Sequence, residues 1–264
     1  MCKLNREIII YLFVTLLISV ILAGCGGITM KNYTSSEEQY REAYKEFQKK
    51  HYVKAIDGFQ KVVYNFSGSP MVDSAQYYLA MSYYLDKEYY LAAAEFERVV
   101  NNYPGSDFVD DSQYMAGLCY FKSSPKNAGL DQNELIRALE VLNDFVTDYP
   151  ESELVDDARA TIKVGMDRLA KKRYQNGQMY FKLAYYKSAQ IYFQTVIDEH
   201  TDSDWAAQAL YYLAEIDLNK KDYSDAKEKF INFLVIYPEH DLTEKAQKKL
   251  VEAEEKIAKS TETN

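Results

Sequence analysis

The chain has 264 residues, 47 % of them hydrophobic, with a formal charge of −9 and only 10 Gly and 5 Pro. That apolar content is enough for a sizeable core, and the scarcity of turn residues argues against a chain of many short strands. The acidic balance, with no basic stripe, excludes an ordinary nucleic-acid binder.

The first segment, MCKLNRE, carries Lys3 and Arg6 and leads into an apolar run from Ile8 to Gly24. A membrane span of that length would sit at the lower limit for crossing a bilayer. A basic start followed by an apolar run reads instead as a secretory signal over 1–24. Leu22-Ala23-Gly24-Cys25 closes it and resembles the bacterial lipobox, which implies cleavage before Cys25 and acylation of its thiol. Gly26 stands where lipoproteins kept in the inner membrane typically carry Asp, so the resemblance implies the outer membrane. A short tether, 25–36, would follow the lipid. Losing Cys2 with the signal and acylating Cys25 leaves Cys119 without a disulfide partner. In the apolar stretch AGLCYF it reads as a buried structural thiol.

Beyond the tether a single pattern recurs. Tyr52-Ala55-Phe59, Tyr89-Ala92-Phe96, Leu135-Ala138-Leu142, Tyr186-Ala189-Phe193 and Tyr223-Ala226-Phe230 share the spacing i, i+3, i+7. Such positions lie on one helix face, where the small residue allows a close neighbour. Eight residues past each triplet comes a turn position: Ser67, Pro104, Pro150, Thr201 and Pro238. Proline there ends the helix, because it lacks an N–H and restricts the residue before it. Two of these turns, NYPGSDFVDD from Asn102 and DYPESELVDD from Asp148, are near copies. Their pairs Asp110-Asp111 and Asp156-Asp157 fall in the next helix's first turn, where they complement its dipole. They lack the ordered ligand spacing of a metal site.

A first helix precedes each triplet: Tyr77-Tyr78-Leu79-Ala80 returns unchanged as Tyr211-Tyr212-Leu213-Ala214, with Ala116-Gly117 in the third unit. The chain is therefore expected to be all-α, with about five helical hairpins and an amphipathic capping helix from Leu242 to Ala258. Hairpins with Tyr-x-x-Ala-x-x-x-Phe and a following Pro resemble the tetratricopeptide repeat, which implies a superhelix with a concave face. The central alanines are 37, 46, 51 and 37 residues apart. The third unit holds the loop SSPKNAGLDQNE. The fourth gains 14 residues, close to four helical turns and roughly 21 Å, with no breaker between Leu154 and Tyr174. That predicts one long helix joining a three-repeat half, 37–153, to a two-repeat half, 154–258, followed by a disordered tail, 259–264.

No catalytic constellation accompanies these repeats. His51, His200 and His240 have no metal-binding spacing, and there is no Gly-rich phosphate loop or Gly-x-Ser-x-Gly elbow. The chain is read as a non-enzyme with no cofactor beyond the covalent lipid on Cys25.

Five repeats behind a lipobox, an insertion in the third unit and a long fourth-unit helix resemble the BamD family of β-barrel assembly lipoproteins. Asp157-Ala158-Arg159, Arg168-Leu169-Ala170 and Tyr180-Phe181-Lys182 resemble its long-helix pattern, whereas Arg173 and Leu183 depart from it. The resemblance implies a scaffold anchored at the periplasmic face of the outer membrane. Its implied partners are the periplasmic domains of the barrel insertase, other assembly lipoproteins and unfolded outer-membrane protein segments. Tyr40, Tyr44, Tyr77, Tyr83, Tyr84, Gln113 and Tyr114 are candidates for a peptide groove, because flat rings with polar tips suit an aromatic-ended peptide. Lys171, Lys172 and Arg173 are candidates for partner docking. A different envelope tetratricopeptide lipoprotein, a pilotin or a division coordinator, would lack the long fourth-unit helix.

Overall fold

The computed structural model describes residues 35–262. The signal segment, Cys25 and the tether as far as residue 34 lie outside the described residues. Among the described residues eleven helices follow one another: α1 Ser36–Gln48, α2 Tyr52–Asn65, α3 Val72–Leu85, α4 Tyr89–Asn102, α5 Val109–Ser123, α6 Asn133–Asp148, α7 Val155–Lys182, α8 Tyr186–Glu199, α9 Asp204–Lys220, α10 Tyr223–Ile236 and α11 Thr243–Glu262. Among the described residues there is no strand. Ser35 opens the series, its hydroxyl accepting from the Glu38 N–H at 3.2 Å, the geometry expected of Ser-x-x-Glu at a helix start.

The repeated triplets are the seams of five hairpins. Ala55, Ala92, Ala138, Ala189 and Ala226 are all fully buried, as are Phe59, Phe96, Leu142, Phe193 and Phe230 four residues on. Each second helix stops at the residue before an aromatic or His cap, and the prolines follow that cap. Tyr103, Tyr149 and Tyr237 donate their N–H groups back to Val99, Phe145 and Phe233. Asp110-Asp111 and Asp156-Asp157 occupy the first turns of α5 and α7, as expected of dipole-complementing carboxylates.

In the first two hairpins a turn serine also ties the hairpin to itself. Ser69 Oγ donates to Ser36 Oγ at 2.7 Å, and Ser106 Oγ to Asp73 Oδ2 at 2.8 Å. Each joins the end of a hairpin to the first turn of its opening helix. His240, at the same place in the last hairpin, reaches Asp204 Oδ1 at 3.1 Å instead.

Inside four hairpins the first helix ends on a left-handed residue that is not glycine: Lys50 (φ 61°), Lys87 (φ 69°), Ala184 (φ 59°) and Lys221 (φ 67°). The following N–H groups of His51, Glu88, Tyr185 and Asp222 each bond a carbonyl five residues back, and Lys50 and Lys87 bond one three back. That is the Schellman arrangement, which usually places glycine at the left-handed position. The third hairpin carries its long loop there instead.

Hairpins stack in chain order, and neighbouring first helices touch: α1 with α3, α5 with α7, α7 with α9 and α9 with α11. Second helices make no comparable contact with one another. The row of first helices therefore forms the inner, concave side. The helix expected to be long is one uninterrupted helix of 28 residues, twice the 14 of α3. It is crossed at two places. A Cβ on Gly165 would lie 2.6 Å from Leu139 of α6, and one on Gly177 would lie 2.7 Å from the Phe193 ring of α8. The final helix continues to Glu262, beyond the Ala258 end expected for it and through most of the segment read as a disordered tail. No helix among the described residues is long and apolar enough to cross a membrane.

Candidate functional site

All seven groove candidates sit on the first helices α1, α3 and α5, the row that lines the concave side. Gln39, Gln76 and Gln113 recur 37 residues apart, each followed by a tyrosine. Gln39 and Gln76 are buried, where Gln39 Nε2 bonds the Gly58 carbonyl at 3.2 Å and Gln76 Nε2 bonds Glu95 Oε2 at 2.6 Å. Gln113 instead reaches the exposed Asp148 Oδ2 at 3.2 Å.

The tyrosines divide into groups. Tyr40 and Tyr44 stack at 6.0 Å, and Tyr44 meets the edge of Tyr78 at 4.9 Å. Tyr77 stacks on Phe108 at 4.4 Å and touches Tyr78 at 5.4 Å, so these four tyrosine rings are continuous. They are half-buried and keep part of each ring accessible. Burial pushes the Tyr77 hydroxyl up to about 12 and that of Tyr40 higher still, so both remain protonated donors at neutral pH. Tyr83 turns toward α2, its hydroxyl accepting from Gln60 Nε2 at 3.0 Å. Tyr84 and Tyr89 lie beneath the Lys122 ammonium, 5.5 and 5.7 Å from the ring centres. Tyr114 is 9 % exposed and packs on Phe145, so its ring belongs to the core between hairpins.

The residue that joins this array was not among the candidates. Tyr78 contacts Tyr40, Tyr44, Phe47, Phe59, Tyr77 and Phe108. Tyr212, at the same place in the repeated Tyr-Tyr-Leu-Ala, contacts Tyr174, Phe181, Phe193 and Tyr211. The doublet itself was the available signal, and its second tyrosine is the hub in both halves.

The basic stretch of α7 is engaged within the chain. Lys171 lies over the Trp205 ring at 5.5 Å, and Lys172 Nζ donates to the Leu130 carbonyl in the inserted loop at 2.7 Å. Arg173 pairs with Glu199 at 2.7 Å and donates to His200 Nε2 at 2.6 Å. One turn earlier, Arg168 bonds Ser124 Oγ at 2.8 Å and covers the Phe121 ring at 4.8 Å. This side of α7 fastens the inserted loop and the α8–α9 turn. Cys119 is fully buried, as its apolar surroundings predict, and burial raises its thiol to about 12. Among the described residues no group of three His, Cys, Asp or Glu could hold a metal ion.

An all-helical chain of stacked hairpins with a ring-lined concave row and a doubled fourth-unit helix is a tetratricopeptide scaffold. Residues 208–240 match the tetratricopeptide repeat itself. The profile of the family described as outer membrane lipoprotein (YfiO) matches residues 32–219, and the chain belongs to that family. It is similar to the outer membrane protein assembly factor BamD of Caulobacter vibrioides, 35 % identical over 85 residues. The aligned stretch spans 32 % of this chain and 28 % of that relative. Among solved structures, the TPR2AB domain of yeast Sti1 is 13 % identical, with 83 % of this chain and 98 % of that chain covered at a TM-score of 0.39. A tetratricopeptide protein of Thermus thermophilus is 17 % identical, covering 82 % and 100 %, at 0.34. These superpositions are loose, and the fold rests on the helix order and the buried repeat positions.

Proposed function

We propose that this protein is a lipid-anchored scaffold at the periplasmic face of the outer membrane that serves β-barrel assembly. It would dock on the barrel insertase and receive segments of unfolded outer-membrane proteins. The observation that carries this is the family match across 32–219, which runs through the three N-terminal hairpins and the whole of α7. Likeness to an assembly factor over part of the chain supports the same role. The lipid on Cys25 would hold the 37–153 hairpins near the membrane, where the rings of Tyr40, Tyr44, Tyr77 and Tyr78 offer apolar faces with hydroxyl donors to an aromatic-ended peptide. Lys171, Lys172 and Arg173 would contribute to docking indirectly, by fixing the loop and turn that border the partner's surface. No catalytic step is assigned. Purification in mild detergent should bring down the barrel insertase with this chain. Recovery of only division or pilus proteins would instead identify another envelope tetratricopeptide lipoprotein.

A further inference from the structure

The long helix α7 serves two second helices in turn. Helix α6 packs along its first half, with Leu135 and Leu139 against Gly165, and α8 along its second half, with Phe193 against Gly177. Over the middle of α7 the beginning of α6 and the end of α8 approach each other and leave a cleft. One part, of about 480 Å³, is lined by residues including Ile136, Met166, Leu169, Asn176 and Tyr192. An adjoining part, of about 400 Å³, runs on past Met166 to Lys163, Asp167 and Asp202. Both parts share Met166, Glu199 and His200, so they form one trough.

The trough has an apolar floor and an acidic margin. Ile136 is 44 % exposed and Met166 37 %. Of the bordering charges, Arg173 is paired with Glu199, Lys172 is held on the Leu130 carbonyl, and Lys163 stands at one end. Asp131, which accepts from Asn133, Asp167, which accepts from the Trp205 indole N–H, and Asp202 border the trough without an ion pair, so its margin stays net negative. From Lys163 to Asn176 the floor extends about 20 Å, which matches three to four turns of helix, and a helix is about 10 Å across with side chains.

We propose that this trough is a docking site for an amphipathic helix supplied by a partner protein, apolar on one face and basic on its flanks. Its apolar stripe would cover Ile136, Met166 and Leu169, the helix-in-groove mode of recognition. Its Lys or Arg residues would meet Asp131, Asp167 and Asp202, and the net charge of −9 likewise favours a basic partner. The site lies away from the tyrosine row, and it deepens the scaffold reading above by naming the chemistry of one partner.

The test uses the full lipidated protein in nanodiscs of zwitterionic lipid, with empty discs as the blank. The probe is a labelled 18-residue peptide with Leu at helical i, i+3, i+4, i+7 spacing and Lys on its flanks. A second peptide carries Glu for each Lys, and a third has a central Pro. The Lys peptide is expected to bind, more weakly in high salt, and the combined Met166→Ser and Ile136→Ser variant to lose about tenfold in affinity. Val251→Ser, at an exposed position of α11 outside both surfaces, should bind as the wild type does, and circular dichroism should show the double variant as helical as the wild type. Equal binding by the Glu or Pro peptide, or full binding by the double variant, overturns the proposal. Self-association of the protein through the trough, seen as concentration-dependent mass that the double variant abolishes, overturns it equally. Peptide binding in a protein that recovers no assembly component from the membrane would leave the trough standing and remove the scaffold reading instead.

Discussion

Ala92 and Ala226 lie with no exposed surface in the seams of the second and fifth hairpins. Replacing either with Leu forces extra methylenes into a packed contact and should cost about 1–3 kcal/mol, seen as a lower denaturant midpoint with an unchanged slope. His200 makes a different kind of demand. Its buried ring accepts from Arg173, which can only donate, so the ring must be neutral. Burial first, and the Arg173 charge second, lower its pKa from 6.5. Glu199 and Asp167 oppose that shift without reversing it. Below the unfolded value the unfolded chain takes up the proton first, so the stability is present above pH 6.5 and declines as pH falls toward the folded pKa. Melting temperatures at about pH 7.5 and about pH 5.5 should show a smaller acid loss in His200→Gln than in the wild type. The buried alanines were legible in the sequence because period and burial coincide. Which tyrosine of each doublet becomes the hub was not, because Tyr77 and Tyr78 differ only in their angle around α3. That angle is set by packing against α2 and the Phe108 turn. The same ambiguity placed Tyr114 in the groove when its ring is buried on Phe145.

At the scale of the element, the caps were the least visible feature. Glycine usually announces a left-handed helix end, but here Lys50, Lys87, Ala184 and Lys221 hold that conformation. A side chain in this region is strained by roughly 1–2 kcal/mol, part of which glycine would return to the unfolded chain as flexibility. Lys87→Gly should therefore raise stability, by up to about 1 kcal/mol, measurable as a shift in thermal midpoint. The inserted loop was read correctly as an insertion, yet its fastening was hidden. Arg168 and Lys172 lie more than forty residues from the Ser124 and Leu130 groups they bind, and only the stacking of α7 on α6 brings them together. Arg168→Ala leaves the Ser124 hydroxyl without that donor and uncovers the Phe121 ring. Limited trypsin digestion should then cut at Lys126 several times faster than in the wild type, while circular dichroism keeps its helical signal.

For the molecule as a whole, each hairpin's core is closed mainly by its neighbours, so stability is expected to be distributed along the stack. The order of elements, the five seams and the long helix followed from the ruler of repeated letters, because stacking fixes the seam spacing and the eight-residue step to each turn, so the departures of 46 and 51 from 37 mark the inserted loop and the long helix. The partner surfaces did not follow, since Lys171, Lys172 and Arg173 look free in one dimension and are engaged in three. If Cys25 carries the proposed lipid, Cys25→Ala should deplete the protein from the outer-membrane fraction; unchanged retention there would overturn that anchor.

The two glycines of α7 set a phase as well as a distance. Gly165 and Gly177 are twelve residues apart, which on an α-helix is about 18 Å of travel and about 120° of rotation. The C-terminal hairpins are thus mounted on a crankshaft whose throw is fixed by residue count. Inserting one residue between the glycines would advance them by only about 1.5 Å but turn them by about 100°, while seven residues would restore the heading to within about 20°. A single alanine inserted after Lys171 should therefore abolish co-purification with any partner that grips both halves, whereas seven, which restore the heading but add about 10.5 Å, should restore it only for a partner that tolerates the added length. Length in this helix is an angular setting.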